Sequence, residues 1–554
     1  MEYLILGSII IILVFLVIQY LNKQKLKRKI GQIRSAWSKP KTESFHFDSI
    51  RKYADKAKES EFHRLTDQTI EDIDFYGLFT FIDRTNSKVG QQFLFKKAIE
   101  PTSNINDQSQ RLIELFANDQ KLREEIQLEL LKLNDNDAYH ISSLLQDKLL
   151  ERPKWFRFLI FDIVIVVCLF LISFKFPVLI IVLIIPVIIN THLHYWNKSN
   201  TFQFIRSFPQ LNLLIYVSKI ISKKGELFYS ESVEESISNL KSFQQKASLI
   251  NFDNTSGVQG ELSQIVTYLF ELIKAILLIE VFTLFKVIKE LETKQHSVMT
   301  LFNYIGNIDA SISIVSLRAG TSKTCQPVLA QAKKEVLAKS MYHPLIDNCV
   351  ANDLSISDKG ILITGSNMSG KSTFLRTLTI NSILAQTIYT CFADEFVSPI
   401  LKQYSSIRID DNLFQGKSYY FQEVNIMASL LAEVESPYQN LFVLDEVFKG
   451  TNTVERIAAA KAILSYLNRN NNIVVVSTHD IELSDMLEGE YDLYHFTETI
   501  EENKLHFDHK IKLGQIRTGN AIKLLELSNY PADVISEARQ ISTTLRTARI
   551  MSEE

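Results

Sequence analysis

The apolar positions of this 554-residue chain fall into two kinds of run. Three are long. Leu4 to Ile18 carries no charge and is edged by Tyr3 and Tyr20, which is about long enough to span a bilayer. Phe158 to Leu193 would be about 54 Å long as one helix, too long for a ~30 Å hydrocarbon core. Lys175-Phe176-Pro177 divides it, and Trp155 and Trp196 mark its ends; the pattern predicts a helical hairpin, with Asp162 and Pro186 as its oddities. Ile265 to Leu291 is also greasy but carries Glu271, Lys274, Glu280, Lys286 and Lys289. It predicts a long core helix, a membrane segment being the alternative. The other runs are short. Gly360-Ile361-Leu362-Ile363, Leu441-Phe442-Val443-Leu444 and Ile473-Val474-Val475-Val476 each read as a buried strand ending in a polar cluster. Residues 65–150 are amphipathic helix, broken at Pro101 and at Asn134-Asp135-Asn136.

Charge orients the long runs. Lys23, Lys25, Lys27, Arg28 and Lys29 follow the first apolar stretch, and Lys154, Arg157 and Lys198 flank the second. These place both flanks in the cytoplasm and the N-terminus outside. Positive charge does not precede the first run and no small-residue cleavage site follows it, which argues against a removed signal peptide. Net charge is −3, so no overall basic field advertises nucleic acid. The four cysteines have no metal-ligand spacing, as suits a reducing compartment.

The short strands carry the chemistry. After the first, Gly365, Ser366, Asn367, Met368, Ser369, Gly370, Lys371, Ser372 and Thr373 fit G-x-x-x-x-G-K-[ST] between a strand and a helix. Such a loop turns backbone N–H groups toward phosphate, aided by the helix dipole. Lys371 would reach the β- and γ-phosphates of ATP, and Ser372 would ligate Mg²⁺. The second strand ends in Asp445, a further Mg²⁺ ligand, and Glu446, placed to polarise the attacking water. The third ends in Ser477-Thr478-His479-Asp480, where His479 would meet the γ-phosphate. Together they predict a doubly wound, mainly parallel sheet of the P-loop ATPase type.

The residues around these motifs resemble the MutS family of DNA mismatch-repair ATPases. The likeness lies in Thr364–Thr373 with its Asn-Met pair, in Asp445-Glu446 followed by Gly450-Thr451-Asn452, and in Tyr342-His343-Pro344-Leu345. Arg408–Leu413, Ser418–Val424 and Tyr530-Pro531 add to it. It implies a homodimer in which Ser418 completes the partner's ATP site, with His343 among the nucleotide-binding residues. Upstream, Leu65–Ile73, Ile82–Gly90 and Ile308–Ser313 look like the start and end of that family's helical core. Two departures accompany the likeness. No mismatch-reading or connector domain is expected before residue 60, and the family's Phe-x-Glu wedge occurs as Phe421-Gln422-Glu423 inside the ATPase region.

The expected architecture is α and α/β. An anchor at 1–21 and a basic linker at 22–60 precede a helical core of 61–153 and 197–320. The core is interrupted by a membrane hairpin at 154–196. An ATPase domain at 321–545 and a polar tail at 546–554 follow. Three function classes are compatible with this plan: a MutS-type ATPase of the inner (cytoplasmic) membrane, multi-pass, with its ATPase in the cytoplasm, binding double-stranded DNA without strong mismatch preference; the same engine acting on a protein or lipid partner; and an ABC-type transport ATPase. The last lacks a Leu-Ser-Gly-Gly-Gln signature, and three spans make a poor permeation path.

Overall fold

A computed structural model describes residues 2–56, 60–104, 107–145, 156–247, 272–330, 334–366, 368–408, 419–448, 452–501, 504–515, 522, 525–526 and 530–553. The chain forms two compact units.

The first comprises Glu59–Phe81, Lys97–Ile105 and Thr321–Glu554. Its strands are β1 (Val328–Ala330), β2 (Glu335–Met341), β3 (Asn352–Ser357), β4 (Gly360–Thr364), β5 (Glu395–Pro399), β6 (Lys402–Ser406), β7 (Asn440–Asp445), β8 (Ile473–Ser477), β9 (Tyr491–Glu501) and β10 (Lys504–Leu513). Two sheets result, β1-β5-β2-β3 and β10-β9-β4-β8-β7-β6. In the larger sheet β9, β4, β8, β7 and β6 run parallel, and β10 turns back antiparallel on β9. Every residue of β4 and β8 is buried. That is why these strands read as unbroken apolar runs rather than alternating ones: helices cover both faces of a parallel sheet. Parallel direction also brings the polar ends of β4, β7 and β8 to one edge of the sheet, where ligands bind in such folds.

β6 is the outer strand of that sheet, and an open edge invites mispairing. Here side chains from some 330 residues upstream close it. His63 Nε2 lies 2.9 Å from the Gln403 carbonyl, and Ser405 N–H donates to Thr69 Oγ1 at 3.2 Å. Asp72, fully buried, accepts from Ser405 Oγ at 2.6 Å, Arg408 N–H at 2.7 Å and Ile407 N–H at 3.0 Å. The stretch 61–153, expected as one piece of the helical core, therefore contributes to both units.

The second unit comprises Met1–Lys58, Ile82–Lys96 and Asn106–Gly320. Its spine is the helix Ile279–Ala319. Asp309 on this helix caps the start of the helix Lys88–Ile99, accepting from Asn86 N–H, Ser87 N–H and Ser87 Oγ at 2.8, 2.8 and 2.6 Å. A Cβ on Gly90 would sit 2.1 Å from the Asp309 carboxylate, so only glycine lets the two helices meet there. The upstream segments 82–90 and 308–313 are thus joined by a buried polar contact. Helices Phe156–Ser173 and Leu179–Asn200 follow one another across the turn at 174–178, with Pro186 inside the second.

Two helices among the described residues are long and apolar enough to cross a membrane. Within Leu179–Asn197 only 11% of the apolar window is buried, whereas in Ile279–Ala319 it is 72%. The latter matches a core helix. Residues 265–271 of the third apolar block lie outside the described residues.

Candidate nucleotide site

The loop after β4 curls because Gly365 and Gly370 adopt φ of +144° and +112°. A Cβ on Gly365 would also meet the Phe496 carbonyl at 2.8 Å. Helix Lys371–Thr387 begins at the loop's end, with Gly370 at its N-cap. The buried Lys371 donates from Nζ to the carbonyls of Gly365 and Ser366 at 2.7 and 3.0 Å, and its Nζ lies 3.3 Å from His479 Nε2. Its ammonium is therefore held inside the loop rather than in solvent.

The ends of β7 and β8 meet this loop. Ser372 Oγ donates to Asp445 Oδ2 at 2.5 Å, and Ser477 Oγ donates to the other oxygen of the same carboxylate. Glu446 N–H bonds the Ser477 carbonyl and Thr478 N–H bonds the Ile363 carbonyl, so all three strand ends are tied by backbone. His479 Nε2 lies 2.9 Å from Glu446 Oε1. Glu446 and Phe448 adopt left-handed φ of +55° and +62°. Such backbone is costly for residues with side chains and gathers at functional sites. Beyond His479, Arg456 makes a two-pronged pair with Asp480, at 2.7 and 3.1 Å.

Ser372 and Asp445 form a compact set of oxygen donors at the mouth of a phosphate-type loop, the chemistry a Mg²⁺ ion prefers. The sequence-predicted Lys371, Ser372, Asp445, Glu446 and His479 come together at this edge. Ser366, Ser369 and Thr373 also lie on the loop and the first turn of its helix. Asn367 and Ser418 lie outside the described residues. Met368 is 72% exposed at the loop tip, with its side chain open to solvent. His343 is buried, and its hydrogen bonds stay in its own turn: Leu345 N–H donates to its Nδ1, and its own N–H donates to Cys349 Sγ. Burial, with Arg376 nearby, pushes its pKa down to about 4.

Two contributors carry no sequence signal. Ser366 Oγ donates to Glu498 on β9 at 3.0 Å, and His509 Nδ1 on β10 lies 3.1 Å from the Ser369 carbonyl. Each is more than 130 residues from the loop, and only the β4–β9 register and the β9–β10 return bring them there. Phe496-Thr497-Glu498 is also a second Phe-x-Glu; its Phe496 is buried in the sheet's core, and the first copy lies on the helix Tyr419–Glu433.

Comparison with known proteins agrees with this geometry. Residues 361–546 match the family described as MutS domain V. The DNA mismatch repair protein MutS of Pseudothermotoga lettingae is 29% identical over 263 residues, covering 45% of this chain and 32% of that protein. For MutS of Thermus thermophilus the figures are 30%, 37% and 26%, and for MutS of Listeria monocytogenes 34%, 37% and 25%. The chain spans about a third or less of the length of these relatives. An α/β unit that sets a phosphate-type loop, a carboxylate pair and a histidine at one sheet edge, over residues that match MutS domain V, makes this chain a MutS-like protein.

Proposed function

We propose that the chain is a membrane-anchored MutS-like ATPase that binds and hydrolyses Mg·ATP as a homodimer and engages double-stranded DNA. The observation that carries the ATPase part is the convergence of Lys371, Ser372, Asp445, Glu446 and His479 on one sheet edge. Ser372 and Asp445 would hold Mg²⁺, which supplies charge neutralisation to the phosphates when bound. Lys371 and the loop N–H groups orient the phosphate chain. Glu446 aligns the attacking water and takes up its proton, and His479, in contact with both Glu446 and Lys371, fixes the direction of that carboxylate.

The test is nucleotide binding and turnover in two variants of the full chain. Lys371→Ala should lose binding. Glu446→Gln should bind ATP and turn over far more slowly, because the cradle is kept and the proton acceptor is gone. Unchanged turnover in Glu446→Gln would refute the assignment. The dimer proposal rests on the family resemblance of Ser418. Mixed Lys371→Ala and Ser418→Ala subunits should place both defects in one shared site, leaving the other intact.

The membrane proposal is supported by the outward apolar faces of Phe156–Ser173 and Leu179–Asn200, together with the apolar start of the helix Glu2–Ala36. The localisation that follows is the cytoplasmic membrane, with the ATPase on the cytoplasmic side. DNA enters from the names of the relatives. Both Phe-x-Glu copies belong to the ATPase unit, so DNA binding should come from backbone contacts, fall steeply with salt and ignore mismatches. A protein or lipid partner in place of DNA is favoured by the same apolar faces. Filter binding of the full chain to matched and mismatched duplexes across salt separates the two.

A further inference from the structure

Cys325 and Cys391 face each other in an isolated antiparallel bridge of the ATPase unit. Cys325 N–H donates to the Cys391 carbonyl at 2.9 Å, and Cys391 N–H donates to the Cys325 carbonyl at 3.0 Å. Exchange of both bonds makes them a hydrogen-bonded pair, in which the Cα atoms stand about 5.5 Å apart. A disulfide spans about 4.4–6.8 Å between Cα atoms. Residues directly opposed across such a pair put their Cβ atoms on one face, about 4.5–5.5 Å apart. The packing agrees: Cys391 belongs to the apolar cluster that holds Ile363, Phe374 and Phe396, and Cys325 packs against the same cluster. An approach of about 1 Å brings the two Cβ atoms to the separation a disulfide needs.

The bridge is short for a local reason. Pro327 has no N–H with which to continue a ladder past Cys325. Beyond Cys391 the chain turns to other partners: the Phe392 carbonyl accepts from Tyr342 N–H at 3.0 Å, and Asp394 N–H donates to the Lys339 carbonyl at 2.9 Å. Each cysteine is anchored on its own side. Cys391 is fully buried and donates from Sγ to the Asn381 carbonyl at 3.5 Å, while Asn381 Oδ1 accepts from Phe392 N–H at 2.6 Å. Asn381 lies on the helix Lys371–Thr387, which starts from the phosphate-type loop. Cys325 is partly exposed and stands on the stretch by which the chain enters the ATPase unit after Gly320. The Lys323 carbonyl on that stretch accepts from Tyr342 Oη at 2.6 Å. The pair thus holds one buried sulfur and one that solvent reaches. The other two cysteines are placed differently. Cys168 lies on the hairpin helix Phe156–Ser173, and Cys349 donates to the Val350 carbonyl at 3.7 Å.

We propose that Cys325 and Cys391 are a redox modification site: a dithiol that closes to a disulfide in the folded chain and reopens on reduction. Closure fastens the stretch after Gly320 to the core beside the helix Lys371–Thr387. The oxidant is a low-molecular-weight disulfide such as glutathione disulfide. Cys325 loses its proton and its thiolate attacks one sulfur of that disulfide. A mixed disulfide forms, and the leaving thiolate takes up a proton. Cys391 then loses its proton and attacks the Cys325 sulfur, which forms the internal disulfide and releases the second small thiol. Two protein thiols are oxidised and one external disulfide is reduced to two thiols, with both protons carried off on the products. The order follows from exposure, because attack requires an accessible sulfur. In a reducing compartment such a pair rests as the dithiol and closes only transiently, the use that disulfides have there. The site neither uses nor requires the Mg·ATP chemistry.

The test is thiol mapping of the full chain in detergent. The reduced protein is equilibrated with glutathione buffers of rising disulfide fraction, free thiols are blocked with N-ethylmaleimide, and the digest is mapped by mass spectrometry. A cross-linked peptide joining Cys325 to Cys391 should appear and should be reversed by dithiothreitol. It should persist in Cys168→Ser/Cys349→Ser, which retains only this pair. In Cys325→Ser no cross-link should form, and Cys391 should stay a thiol. Hydrogen–deuterium exchange of the oxidised chain should slow across residues 321–326 and 388–393 by roughly tenfold, because the local opening is now tethered. Exchange elsewhere that matches the reduced wild type shows that the variants fold. Two free thiols in fully oxidising buffer, glutathione left on Cys325 with no cross-link, or a cross-link that forms only in denaturant would overturn the proposal. A cross-link that leaves exchange at both segments unchanged would overturn the fastening role.

Discussion

The ATPase unit and the hairpin helices put their polar and apolar residues in opposite places. In β4, β7 and β8 the apolar side chains fill the interior and the polar ones collect at the strand ends, where Ser372, Asp445 and His479 meet. In Leu179–Asn200 the order is reversed. Ile181, Ile185 and Ile188 are each more than 60% exposed, while Asn190, His194 and Asn197 are buried, with Asn190 Nδ2 donating to the Ile276 carbonyl at 2.8 Å. Water drives the first arrangement. The second suits apolar surroundings with backbone or polar partners inside, as the proposed bilayer anchor would provide.

The sharpest way to break this comparison is truncation on the two apolar helices. Phe302→Ala, on the buried helix Ile279–Ala319, should cost about 3–5 kcal/mol. Ile185→Ala, on the outward face of the hairpin, should stay within about 0.5 kcal/mol. Chemical denaturation of the detergent-solubilised chain reads both. A comparable loss at Ile185 would place that face in a protein interior.

A smaller effect is expected at the polar edge of the sheet. His479→Ala removes the partner of Glu446 but leaves Lys371 bonded to Gly365 and Ser366. Turnover at saturating ATP should fall roughly 10²-fold, with nucleotide affinity little changed. Equal losses in affinity and turnover would show that His479 serves binding instead.

Third, acid should weaken the ATPase unit. Burial pushes His63 and His343 down to about 4 from an ordinary 6.5. Between those values the unfolded chain binds the protons, so stability is full above pH 6.5 and drains as pH falls toward 4. At pH 5 the loss should be on the order of 2 kcal/mol per histidine. Thermal unfolding from pH 7.5 to 5 measures it, and His63→Gln should flatten part of the slope.

What could be read from the sequence follows from the range of each interaction. The phosphate-type loop is ten consecutive residues whose roles are set by local backbone, and the carboxylate pair sits at the end of a run that announces a strand. Both were legible. Glu498, His509 and the Asp72 clasp were not, because each reaches its partner only through sheet register or through an edge that folding leaves open. The departures from a uniform apolar block at 158–193 were visible only as oddities. Asp162 keeps a buried Oδ2 with no hydrogen-bond partner among the described residues, and Asn190 and His194 form an inward polar stripe that hydropathy averages away. The glycines were informative only in part: Gly365 and Gly370 belong to a motif, whereas Gly90 is required by an aspartate more than 200 residues downstream.

The proposed function joins a bilayer anchor and Mg·ATP hydrolysis in one chain. It is tested most directly by reconstituting the full chain into liposomes, washing them with alkaline carbonate, floating them, and assaying the floated band for turnover of added ATP with and without Mg²⁺. The chain and the Mg²⁺-dependent turnover should float together. Recovery of the chain and its activity in the carbonate wash would contradict it.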